Sequence, residues 1–108
     1  MAQNFRRYTY NAVGTGAQAV YTANSYDAIV GISLSNILST AITVDCYIND
    51  GSNNIYLVKD APIPTGGSLQ ILDGGAKFVV QNLDVLSVKS SDAASVDVWV
   101  SAVDAIST

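Results

Sequence analysis

A chain of 108 residues has length for one hydrophobic core and not for two. Its nine acidic residues are all Asp, and with no Glu and no His it lacks the commonest general base and the commonest metal ligand. A net charge of −4, with Arg6-Arg7 as the sole cluster among five basic residues, argues against nucleic-acid binding, which needs a basic stripe.

The start, Met1 to Tyr10, carries two arginines with no apolar stretch behind them, so neither a secretory nor a twin-arginine signal is expected. Phe5-Arg6-Arg7-Tyr8-Thr9-Tyr10 alternates like an edge strand, or serves as an arm that pairs with a neighbouring subunit. Gly14-Thr15-Gly16 then separates it from a strand over 18–23. From Ala28 the even positions Ala28, Val30, Ile32 and Leu34 are apolar, against Gly31, Ser33 and Ser35. From Ile42 the inward set is Ile42, Val44, Cys46 and Ile48, against Thr43, Asp45, Tyr47 and Asn49. Period two is the mark of a strand with one face in a core and the other outside it.

Asn49-Asp50-Gly51 is a strong hairpin signal, because a tight turn needs positive φ. Pro62 and Pro64 cannot donate to a ladder, so 61–65 is expected at an edge or as a crossover between sheets. Thr65-Gly66-Gly67 and Asp73-Gly74-Gly75 are expected to bracket a short strand, 68–72. Ser90-Ser91-Asp92 precedes the last strand, where Val96, Val98, Val100 and Ala102 alternate with Asp97, Trp99, Ser101 and Val103. The whole predicts an all-β fold: a single antiparallel β-sandwich, jelly-roll or immunoglobulin-like, of about eight short strands spanning 1–108, with 1–12 as an arm or edge strand. No helical stripe and no run of about 20 apolar residues, the length needed to cross a bilayer, is present.

Candidates for chemistry are few. Cys46 shares inward parity with Val44 and Ile48 and is expected to be a buried small hydrophobe; a lone cysteine forms no intrachain disulfide. Lys59, Lys77 and Lys89 have no spacing that supports Ser-Lys catalysis. Asp97 and Asp104 differ in parity and should face opposite ways. The 50–54 segment lacks the alternating acids and closing Glu of a calcium loop, and the glycine pairs lack the lysine of a phosphate loop. No enzyme activity, no cofactor and no metal are expected.

The aromatics carry more. Trp99 sides with Asp97 and Ser101, and Tyr47 with Asp45 and Asn49, so each stands on the polar face of its strand. Such residues anchor interfaces, unless a flanking loop covers them. Four of the six tyrosines, Tyr8, Tyr10, Tyr21 and Tyr26, fall in the first quarter, beside the arginines that interfaces enrich. The candidate contact residues are Phe5, Arg6, Arg7, Tyr8, Tyr10, Tyr47 and Trp99.

The segments 26–36 (YDAIVGISLSN), 42–51 (ITVDCYINDG) and 56–90, with Gly31, Asn36, Ile63-Pro64-Thr65-Gly66-Gly67-Ser68-Leu69, Lys77 and Leu83-Asp84, resemble small β-sandwich virion proteins of tailed bacteriophages. Leu83 departs from that pattern, which has Gly there. The resemblance implies a structural subunit in the virion, made in the host cytoplasm, on the capsid exterior or at the neck or tail. Its partners would be other virion proteins and its own copies, with no nucleic acid and no membrane. Within that group a capsid decoration or cement role is preferred. A carbohydrate- or receptor-binding module, with Trp99 as the stacking platform, is the alternative.

Overall fold

The computed structural model describes residues 4–107, with side chains for 5–71 and 77–104. It forms eight strands: β1 (Asn4–Val13), β2 (Gln18–Thr22), β3 (Tyr26–Asn36), β4 (Ile42–Asn49), β5 (Asn54–Ile63), β6 (Ser68–Val80), β7 (Val85–Ser90) and β8 (Val96–Ser107). The first strand pairs with the last, β2 with β7, β3 with β6 and β4 with β5, every pair antiparallel. That is one long hairpin. Rolling it over on itself adds the β3–β8 and β4–β7 ladders. The result is two sheets, in orders β1-β8-β3-β6 and β2-β7-β4-β5. The packed sheets make a β-sandwich, and this strand order is that of a jelly roll rather than an immunoglobulin domain.

The core lies between the inner faces. Ile32, Leu34, Val98 and Val100 from the first sheet meet Ile42, Val44, Cys46, Leu86 and Val88 from the second, all buried. Each large apolar side chain among them stabilises the fold by about 1.5–3 kcal/mol relative to leaving it in water. The alternation expected for β4 and β8 is therefore realised.

Two expectations are corrected. Val30 is only half-buried and Ile29 takes the core position, because the β3 ladders to β6 and β8 both shift register between Ile29 and Gly31. Such a shift reverses which parity faces inward. Asp73-Gly74-Gly75 does not end a strand: β6 runs through it, with Asp73 paired to Gly31 and Phe78 to Ile29. The strands are also longer than expected in places, with 13 residues in β6 and 12 in β8.

The prolines lie where their missing donors cost least. β5 is the outer strand of its sheet, and the chain crosses after Ile63 to β6 in the other sheet. Gly66 adopts φ +69° in that crossing, and a Cβ on Gly67 would lie 2.9 Å from Pro64 Cγ, so the turn is closed to larger residues. Asn36 holds the crossing in place. Its side-chain amide donates to the carbonyls of Thr40, Ile63 and Pro64 at 2.8, 3.1 and 3.2 Å, while its Oδ1 accepts from the Leu38 N–H at 2.9 Å.

The edge strands β1 and β5 carry matching irregularities. Ala12 and Asp60 adopt φ of 58° and 51°. Each freed N–H is taken by an Asp on the adjacent strand: Ala12 donates to Asp97 Oδ1 at 2.9 Å, and Asp60 to Asp45 Oδ1 at 2.7 Å. Irregularities of this kind twist an edge away from further strand pairing.

Candidate functional site

The outer face of the first sheet is laid out in rows by its register. At one end Phe5, Val103, Ala28 and Val79 are cross-strand neighbours, an apolar row with Phe5 81% exposed. Next come Arg7, Ser101 and Gly31, then Thr9, Trp99, Ser33 and Gln70, then Asp97, Ser35 and Ser68. Trp99 is thus flanked on both neighbouring strands by small residues, Thr9 and Ser33. A large ring beside short side chains makes a hollow.

That hollow is a groove of about 570 Å³ lined by Arg7, Thr9, Tyr10, Asn11, Ser33, Ser35, Asp97, Val98 and Trp99. Trp99 remains 52% exposed within it, while Val98 and Val100 on either side are buried in the core. The Arg7 guanidinium stands 5.6 Å from the Trp99 ring centroid, a cation–π contact. Gln70 Nε2 donates to Ser33 Oγ at 2.9 Å on the floor. Asp97 spends one oxygen on the Ala12 N–H.

The second sheet's outer face has opposite relief. Tyr47 neighbours Tyr56 on β5, and their rings stack at 5.0 Å and 44°. Lys59 Nζ lies 4.8 Å over Tyr56 and 3.9 Å from Asp45 Oδ2. These side chains cover one another and form a ridge. A smaller hollow of about 150 Å³ beside it is lined by Thr43, Asp45, Asp60, Lys89, Ser90 and Ser91. Among the described residues no cluster of three or more His, Cys, Asp or Glu is placed to hold a metal.

The seven candidate contact residues therefore do not form one patch. Phe5, Arg7, Tyr10 and Trp99 lie on or beside the outer face of the first sheet, and Tyr47 lies on the opposite face of the molecule. Arg6 and Tyr8 belong to neither. Both meet Asp104, which accepts from Arg6 Nε at 3.0 Å and from the Tyr8 hydroxyl at 3.1 Å; Tyr8 is half-buried, while the Arg6 side chain stays exposed. Asp104 and Asp97 point to opposite faces, as their parity requires.

Asp104 belongs to a buried polar network that alternation alone does not reveal. Tyr8 packs on Tyr21 with centroids 4.3 Å apart. The Tyr21 hydroxyl donates in turn to Asp27, which also accepts from Ser25 Oγ at 2.6 Å and is fully buried. Burial, reinforced by the hydrogen bond to Asp27, pushes the Tyr21 hydroxyl well above its ordinary pKa; burial and then Asp104 push Tyr8 up as well. Neither groove is lined by these carboxylates, and the network ties β1, β2, β3 and β8 together. Cys46 is likewise sealed: burial pushes its thiol up to about 12, far from a reactive thiolate.

No protein-family model matches the chain, and no curated protein matches its sequence. Solved structures do share its fold. A chain in the acidic stable capsid structure of Helicobacter pylori bacteriophage KHP30 superimposes with a TM-score of 0.60, over 95% of this chain and 87% of its own length, at 10% identity. A chain of the Bacillus endospore appendages, described as a novel family of disulfide-linked pili, gives a TM-score of 0.53 over 94% and 84%, at 20% identity.

Proposed function

We propose that this chain is a non-enzymatic structural subunit of a tailed-phage virion, a decoration or cement protein that binds neighbouring shell proteins. The observation that carries the reading is the likeness of fold, over 95% of the chain, to a chain of a phage capsid. The resemblance of 26–36, 42–51 and 56–90 to small virion proteins points the same way. A chain with only 13% charged residues, about half the usual share, favours a molecule that spends its life against other proteins. The Tyr47–Tyr56 ridge supplies the rigid aromatic surface that protein contacts favour. Each contact can be modest, because many copies on one particle act together through effective concentration.

The second neighbour favours a different assembly, and Cys46 argues against it. A disulfide-linked pilus needs an accessible thiol, whereas the single cysteine here is completely buried between the sheets. Quantitative mass spectrometry of purified particles tests the proposal. Many copies per particle are expected; a few would move the subunit to the neck or tail, and none would end the virion reading.

A further inference from the structure

We propose that the groove beside Trp99 is a binding site for a neutral oligosaccharide. The proposal does not depend on the virion reading and stands on four features of the groove.

First, its floor is built on β8 and β3, and each of these strands is paired on both edges. Their main-chain groups are spent on the ladders, so over this floor an extended peptide cannot add as another strand; β1, which supplies the groove's third side, has only its outer edge unpaired. A ligand seated on the floor is read by side chains. Second, those side chains are short and amphoteric. Thr9, Ser33 and Ser35 offer hydroxyls and Asn11 an amide, groups that both donate and accept. Vicinal hydroxyls of a sugar need partners of that kind, whereas an apolar ligand would strand them without hydrogen bonds.

Third, two aromatic side chains stand accessible among these groups, Trp99 at 52% and Tyr10 at 41% exposure. A pyranose ring has an apolar C–H face and a hydroxyl rim, which fit aromatic plates set among hydroxyls. Arg7 makes a cation–π contact with the indole, and ligand affinity rises when a contact group is pre-set. Fourth, the groove contains one cation and one anion, Arg7 and Asp97, and both are already engaged, by the indole and by the Ala12 N–H. Phosphate, sulfate or sialic acid would find no net attraction. Its volume of about 570 Å³ lies within the roughly 300–1,000 Å³ of small-molecule sites.

The test is a printed array of neutral, sialylated and sulfated glycans, followed by calorimetric titration of the strongest neutral binder into the full chain. Trp99 is the sole tryptophan, so its fluorescence reports directly on the groove. Binding to neutral glycans with a change in Trp99 emission is expected. Affinity should fall at least tenfold in Trp99→Ala and in Ser33→Leu, which fills the floor from the outer face and leaves the core untouched. Ser35→Leu repeats that test at the next row should Ser33→Leu unfold. An array without a neutral binder, binding confined to charged glycans, or affinity unchanged in these variants would overturn the proposal. A negative array with high copy number in particles removes the groove's role alone; a positive array with no copies in particles removes the virion reading alone.

Discussion

The two outer faces of the sandwich each present an aromatic from an interior strand, yet one is a groove and the other a ridge. Trp99 on β8 and Tyr47 on β4 obey the same alternation, Trp99 between the buried Val98 and Val100 and Tyr47 between the buried Cys46 and the partly buried Ile48. What differs is the residue across the ladder. Thr9 and Ser33 leave Trp99 standing alone beside a hollow, whereas Tyr56 meets Tyr47 and fills the space. Relief on a sheet is set by cross-strand partners, not by the strand that carries the aromatic.

Both faces rest on a shared interior, and its titration gives the largest expected effect. With the Cys46 thiol pushed from 9.0 to about 12, the unfolded chain releases this proton near pH 9 while the folded chain retains it. Stability is therefore whole below pH 9 and falls as pH climbs towards 12, by on the order of 4 kcal/mol. Tyr21, also raised, adds its own loss above about pH 10. Denaturant melts across this range should show the decline, and Cys46→Ala should delay its onset by about one pH unit. A flat profile to pH 11 contradicts the burial of the thiol.

The next effect separates the faces by their carboxylates. Asp45→Ala and Asp97→Ala each leave the N–H of a left-handed residue without its partner, for a loss of about 1–3 kcal/mol. Asp45, which is buried and also near Lys59, should lie at the upper end of that range. Chemical denaturation of both variants checks the order.

Smaller still are the ring contacts. A double-mutant cycle on Tyr47 and Tyr56 should give a coupling of about 0.5–1.5 kcal/mol, and one on Arg7 and Trp99 about 0.5–1 kcal/mol. Equal and negligible couplings would erase the distinction between ridge and groove.

The smallest prediction concerns Leu83, which adopts φ +75° and is 69% exposed. Relief of about 1–2 kcal/mol of left-handed strain, offset by about 0.5–1 kcal/mol of glycine entropy, makes Leu83→Gly neutral to stabilising, by no more than about 1.5 kcal/mol. A lower melting temperature would show that the Leu83 side chain contributes contacts of its own.

The sequence disclosed the sandwich because β4 and β8 alternate without interruption, and the outward stance of Trp99 and Tyr47 follows from the same pattern. It concealed what depends on register. Two residue steps on β3, from Ile29 to Gly31, face five on β6, from Asp73 to Phe78, and no side-chain period announces such a bulge. The Asp-Gly-Gly at 73–75 has the composition of a turn, and the ladder carries on past it all the same. The groove was hidden for a like reason: Asn11, Ser33, Ser35 and Asp97 come from three strands far apart in the chain. Tyr8 reads as a surface residue because the residues that receive it, Asp104 and Tyr21, lie on other strands.

The most direct test of the account is a cryo-electron microscopy reconstruction of purified particles at a resolution that traces this chain. The account predicts jelly rolls in many copies on the shell, with Tyr47 and Tyr56 against neighbouring protein and the Trp99 groove open to solvent. A particle lacking the chain, or one that holds it with the Tyr47–Tyr56 ridge fully hydrated, contradicts it.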